Sequence, residues 1–202
     1  ATLKFEVKGA RKEDITPVGI TMARDGKRAF VALGKANHVA FVDVAARKAT
    51  KITSGDFTVR GAPTWSPDGT RLALLTSPTP MIRDERREAW IVTVASKEKE
   101  KVVPPATMIA QSTPVWSPDG KTLAFGVLTE TWKANGDGIA PRSLKNTNLA
   151  LYDVATRTAR EVSSKAFDNS VGAMRFSADG ATILFNAQER VYGSMFAFDI
   201  AS

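Results

Sequence analysis

The sequence predicts an all-β repeat protein: four similar units, each of four antiparallel strands. Three observations lead there. First, an Asp-Gly pair follows a short apolar run four times: Met22-Ala23-Arg24-Asp25-Gly26, Trp65-Ser66-Pro67-Asp68-Gly69, Trp116-Ser117-Pro118-Asp119-Gly120 and Phe176-Ser177-Ala178-Asp179-Gly180. Second, a strand-like landmark recurs later in each unit: Val39–Val44, Ala89–Val94, Leu149–Val154 and Met195–Ile200. Third, the step from each landmark Asp or Thr to the next Gly is 26, 27 and 27 residues, whereas the step from Gly to landmark is 17, 24, 33 and 19. A constant inter-unit step with one variable loop is the mark of stacked or radial repeats.

The strands of each unit follow in order and are termed a, b, c and d. Strand a is the apolar run that ends before Asp-Gly. The pair then predicts a hairpin, because Gly accepts the positive φ of a tight turn, and Pro in the second and third copies fixes φ early in it. Strand b is the next apolar run: Ala29 to Leu33, Leu72 to Leu75, Leu123 to Val127 and Ile183 to Phe185. Strand c carries the second landmark. Strand d is shorter and more polar: Lys48 to Thr53, Lys99 to Val103 and Thr158 to Val162. Trp65, Trp116, Phe176 and the smaller Met22 hold equivalent positions and are expected in the core, with Trp90 on strand c.

The last unit has no d strand after its landmark, and the first has a spare strand ahead of it. Thr2-Leu3-Lys4-Phe5-Glu6-Val7 alternates polar and apolar residues, as a half-buried strand does. The count from Asp199 through the chain ends to Gly26 is 29, close to the internal step. The N-terminal strand is therefore expected to complete the last unit, within one chain or between two.

These units resemble known repeats. Residues 61 to 202, with their Trp-Ser-Pro-Asp-Gly turns and runs such as Arg71-Leu72-Ala73-Leu74-Leu75, resemble the β-propeller repeats of TolB-like proteins and of the N-terminal propellers of the prolyl oligopeptidase family. Residues 1 to 50, with Pro17-Val18-Gly19-Ile20 and Asp25-Gly26-Lys27-Arg28-Ala29-Phe30-Val31-Ala32, resemble YVTN-type propellers. The change of style near residue 50 fits natural drift between blades, or a recombined or designed chain built from two parents.

The resemblance implies one propeller domain over residues 1–202 with four four-stranded blades, at about 17–54, 61–104, 112–164 and 171–202 plus 2–8. Closure occurs in one chain, or two chains make an eight-bladed ring. Relatives of this kind are periplasmic or secreted, although the chain starts at Ala1 with no signal-peptide pattern.

Composition narrows the chemistry. The 202 residues are 43% hydrophobic and 24% charged, enough for a real core. No apolar run reaches a membrane span, so no membrane partner is expected. There is no Cys and one His, His38, which excludes thiol chemistry and any site needing two histidines. The formal net charge is +7. Lys4, Lys8, Lys48, Lys51, Lys99, Lys101, Arg157 and Arg160 fall on or beside d strands, where lysine guards a sheet edge. Charge spread around a rim argues against nucleic acid.

No catalytic, cofactor-binding or metal residues are assigned, no cofactor is expected, and the chain is read as not an enzyme. There is no G-x-S-x-G elbow. Asn135-Gly136-Asp137-Gly138 lacks the later bidentate Glu of a calcium loop. Asp84 and Glu85 sit among Arg83, Arg86 and Arg87, which hold them ionised. What remains is the pair of long b–c loops, residues 79–87 and 129–147, which propeller topology places on one face of adjacent blades. Arg83, Arg86, Arg87, Trp132, Arg142 and Lys145 are the candidate partner-binding residues, suited to an acidic peptide or protein. The primary functional reading is a non-catalytic propeller scaffold, part-propeller or recombined, whose main property is folding and self-association. The alternative is a periplasmic or peptidase-associated propeller that binds a peptide or protein partner on the long-loop face.

Overall fold

A computed structural model of the chain describes residues 15–33, 38–46, 48–53, 57–78, 87–102, 108–129, 146–163, 167, 169–189 and 192–201. The described residues contain strands and turns and no helix. They form four antiparallel sheets in two compact units, Ala1–Lys101 and Val102–Ser202.

In the first unit, β1 (Pro17–Met22), β2 (Arg28–Leu33), β3 (His38–Asp43) and β4 (Lys48–Lys51) lie in sequence order in one sheet. β5 (Thr58–Trp65), β6 (Arg71–Ser77), β7 (Glu88–Thr93) and β8 (Lys99–Val102) form the second sheet in the same order. In the second unit, β9 (Met108–Ala110) and β10 (Val115–Trp116) both pair β11 (Thr122–Thr129), which is followed by β12 (Asn148–Asp153) and β13 (Thr158–Glu161). The fourth sheet is β14 (Val171–Phe176), β15 (Thr182–Glu189) and β16 (Tyr192–Asp199). Apart from β9, these are the a, b, c and d strands expected from the repeats, the fourth sheet ending at strand c among the described residues. The spare strand at residues 2–7 lies outside the described residues.

The Asp-Gly signal forms its hairpins for a traceable reason. Gly26, Gly69, Gly120 and Gly180 have φ of 64°, 68°, 71° and 75°, where a Cβ would strain the backbone. In each turn the glycine N–H donates to the carbonyl three residues back, at 2.9–3.0 Å. In the last three turns a serine hydroxyl braces the loop. Ser66 Oγ accepts from Arg71 N at 2.9 Å and donates to Asp68 Oδ1, which also accepts from Thr70 N at 3.0 Å. The landmark aspartates brace the c–d turns: Asp43 Oδ1 accepts from Ala46 N and Asp153 Oδ1 from Thr156 N, each at 2.7 Å. A hydroxyl beyond strand d then ties it to strand c, with Val39 N donating to Thr53 Oγ1 at 2.9 Å and Leu149 N to Ser163 Oγ at 2.7 Å.

Strands b of the first three sheets, β2, β6 and β11, are buried on both faces, whereas β15 alternates and exposes Asn186 and Gln188. In the first unit Phe30, Ala32, Val39, Ile52, Val59, Leu72, Leu74 and Val92 form one cluster between the two sheets. Each fully buried Phe or Leu there contributes about 1.5–3 kcal/mol. Ala29, Val31, Leu33, Ala40 and Val42 pack on the other face of the first sheet. In the second unit Leu149, Leu151, Val171, Ile183 and Phe185 form the core, with Phe167 and Phe196 against it. There Phe167 meets Phe185 and Phe196 edge to face at 5.3 and 4.9 Å.

The repeat-equivalent aromatics differ in burial. Trp116 is 8% exposed. Trp65, Trp90 and Phe176 are half-buried and pack against the core clusters. Met22, expected in the core with them, is 48% exposed. It points with Val18 and Ile20 to one face of β1 that no other sheet of the described residues covers. Equivalence within a repeat fixes which face a side chain takes, and burial then depends on the neighbour.

Candidate functional site

The long b–c loops spring from well-anchored strand ends. In the second sheet, Thr76 pairs Glu88 across the base of the loop at 79–87. Arg60 Nε donates to Ser77 Oγ at 2.8 Å beside it, and Lys101 Nζ pairs with the Glu88 carboxylate. In the third sheet, Val127 pairs Asn148 below the loop at 129–147. The short strand β9 adds a second partner to the end of β11, with Gln111 N donating to Gly126 O at 2.7 Å and Gly126 N to Ser112 Oγ at 2.8 Å. Asn148 Nδ2 donates to Glu161 Oε1 at 2.7 Å, and Val171 N to Thr147 O at 2.7 Å. A loop held this firmly at both ends costs less ordering on binding than one on a frayed hairpin.

Of the six candidate residues, Arg87 is described. It is half-buried and immediately precedes β7. Arg83, Arg86, Trp132, Arg142 and Lys145 lie outside the described residues, as do Asp84, Glu85 and the Asn135–Gly138 segment. The backbone of His38 opens β3. Among the described residues no three His, Asp or Glu side chains gather as a metal site would require.

A second place of chemical interest was not singled out from the sequence. The Asp-Gly turns of the third and fourth sheets border a half-open cavity of about 360 Å³, lined in part by Asp119, Phe176, Asp179 and Ile200. Both carboxyls are held below the ordinary aspartate value of 3.8. The first cause is the hydroxyl of Ser117 or Ser177, and the second is the N–H of Lys121 or Ala181. The cavity therefore carries two ionised carboxylates beside an aromatic ring. The repeat pattern marks these aspartates as turn residues, which they are. Their convergence on one space depends on how two sheets pack, and that leaves no trace in local sequence.

No protein-family model matches the chain. No curated protein sequence matches it either. Solved structures do. TolB from Acinetobacter baumannii is 17% identical with a TM-score of 0.62, over 91% of this chain and 41% of that one. Hydrazine synthase of Kuenenia stuttgartiensis is 19% identical with a TM-score of 0.64, over 84% and 49%. An oligogalacturonate lyase from Vibrio parahaemolyticus is 14% identical with a TM-score of 0.64, over 91% and 50%. The chain thus spans half or less of each of these three structures. At such identities the likeness is one of fold, and it supports the resemblance to TolB-like propellers.

Proposed function

We propose that this chain is a partner-binding propeller module of the periplasmic, TolB-like kind, without catalytic activity of its own. The likeness to TolB structures favours this reading over that of a bare scaffold. In it each of the four sheets is one blade, and residues 2–8 supply the outer strand of the last. The observation that carries it is the placement of the two long loops. Both are b–c connections, on sheets whose other connections are short and braced, and loops on a rigid frame are where binding concentrates. Arg83, Arg86, Arg87, Arg142 and Lys145 give these loops their charge, and Trp132 gives an apolar anchor. An acidic peptide or protein segment fits that chemistry. Its binding is salt-sensitive, because exposed ion pairs contribute only about 0–1 kcal/mol each and are screened.

The test uses a fluorescent Asp/Glu-rich peptide at low and physiological salt. Arg83→Glu with Arg86→Glu should abolish binding. Lys48→Glu with Lys51→Glu changes the net charge equally on the exposed strand β4 and should leave most of it. Equal loss in the two variants would reduce the binding to general charge and overturn the reading. So would full binding after both loops are replaced by short turns.

A further inference from the structure

The first unit shows what fills the space between two adjacent Asp-Gly turns. Arg28, the first residue of β2, reaches across from the first turn. Its Nε donates to Asp25 Oδ2 at 3.0 Å and its Nη2 lies 3.0 Å from the same oxygen. Its guanidinium carbon sits 5.8 Å from the centroid of Trp65, the last residue of β5. Nη2 also lies 4.0 Å from where a Cβ on Gly69 would stand. The guanidinium is thus held by a carboxylate over an aromatic ring, on the side of Gly69 where a side chain would stand.

The second unit repeats the carboxylate and the ring of this frame without the arginine, and there Pro118 lies against the glycine, Gly180. Asp119, Phe176 and Gly180 are the repeat equivalents of Asp25, Trp65 and Gly69. Register confirms the match: Arg28 and Thr122 each open strand b opposite a landmark aspartate, Asp43 and Asp153. Trp65 and Phe176 each end strand a, opposite Leu72 and Ile183. At the position of Arg28 stands Thr122, whose side chain is too short to cross. Beside it lies the cavity of about 360 Å³, lined by Asp119, Thr122, Phe176, Asp179, Gly180 and Ile200 among others. Asp119 Oδ1 is used within its turn, accepting from Ser117 Oγ at 2.6 Å and Lys121 N at 3.0 Å. Asp179 Oδ1 is used in the same way by Ser177 Oγ and Ala181 N. The two bonds to Asp119 both fall on Oδ1, whereas the atom of Asp25 that binds Arg28 is Oδ2.

We propose that this cavity is a docking site for an arginine side chain of a partner peptide or protein. The guanidinium bonds to Asp119 Oδ2 over the Phe176 ring, with Asp179 adding a second negative charge. A planar guanidinium suits the site better than a lysine ammonium, because it offers a fork to the carboxylate and a flat face to the ring. The cavity is at the turn end of β11, and the long loop leaves from the other end of the same strand. The two sites are therefore separate, and this one does not rest on the long-loop reading.

The experiment titrates the blocked tripeptide acetyl-Gly-Arg-Gly-amide into the full chain and follows backbone amide shifts. The neutral citrulline analogue serves as control. Saturable shifts are expected at Gly120, Lys121, Gly180 and Ala181, with none from the citrulline peptide. Thr122→Arg restores the residue type that the first two turns carry as Arg28 and Arg71, and its melting temperature is checked against the parent chain. Its own guanidinium then occupies the site, and affinity should fall at least about tenfold, the loss of one charge-assisted hydrogen bond. Asp119→Asn keeps the Oδ1 acceptor for the turn, removes the charge, and should weaken binding similarly. Absence of saturable shifts, equal binding of the citrulline peptide, or unchanged affinity in Thr122→Arg would each overturn the proposal.

Discussion

Phe30 and Trp65 meet edge to face, ring centroids 4.4 Å apart and planes at 82°. Phe30 is on β2 and fully buried, while Trp65 ends β5, so this contact joins the first two sheets. Phe41 also meets Phe30, edge to face at 5.4 Å, and Arg28 lies over the indole ring of Trp65. Trp65→Ala removes one wall of this cluster and should cost about 3–5 kcal/mol in urea denaturation, as large aromatic truncations do. In a double-mutant cycle with Phe30→Leu, about 0.5–1.5 kcal/mol of coupling is expected beyond area burial. Strict additivity of the two changes would show that the rings pack without specific geometry.

Gly19 is a second contact between the same sheets. A Cβ built on it would run into the Ala62 backbone. Both residues sit at irregularities, where the register of β1 shifts between Pro17 and Gly19 and that of β5 between Arg60 and Thr64. The bulges let the two strands approach more closely than side chains allow. Gly19→Ala should therefore destabilise by about 1–3 kcal/mol through overpacking. A melting temperature equal to that of the parent chain would show that the strands separate without cost.

Much of this was legible in the sequence because each unit repeats a local device. Asp-Gly marked every a–b hairpin, and the landmark at Asp43 and Asp153 proved to be the side-chain brace of the c–d turn. Strand b read as apolar in the first three units because β2, β6 and β11 are buried on both faces. What local pattern did not carry was the fit between neighbouring sheets. Met22 shares its repeat position with Trp116 yet is open, because nothing described covers its face. At the cavity beside Asp119 and Asp179, Thr122 stands where the first turn has Arg28 and Phe176 where the second has Trp65, a difference that shows only when the turns are compared in pairs. The long loops were legible as insertions by their length, which says where they leave the sheets and not what they bind.

The fourth sheet, among the described residues, stops at β16, whereas the other three carry a d strand beyond strand c. Tyr192 and Met195 on β16 are 74% and 75% exposed. If residues 2–8 supply the missing strand, deleting residues 1–8 leaves an eight-residue edge unprotected. The truncated chain should melt lower, and β16 amides should exchange with solvent faster than in the parent. Unchanged exchange at β16 would show that its partner is another segment or another chain.

Acid stability should trace the serine-braced turns. Asp68 and Asp119 are held below the ordinary 3.8, first by the hydroxyls of Ser66 and Ser117, then by the N–H groups of Thr70 and Lys121. Folding thus favours the ionised carboxylates. Their contribution is fully present above the unfolded value near 3.8 and is lost as pH falls through the lower folded values. Melting temperature should therefore hold through mild acid and decline below about pH 4. Ser66→Ala with Ser117→Ala removes the largest cause of both shifts. The serines also accept from Arg71 N and Thr122 N at 2.9 Å, and losing those bonds lowers stability at every pH alike. The part due to the carboxylates differs: it should shrink, so the acid decline in the double variant becomes shallower. Melts from pH 6 to pH 2.5 separate the two effects as offset and slope. A parallel offset with an unchanged slope would show that the hydroxyls brace the turn without favouring the charged aspartates.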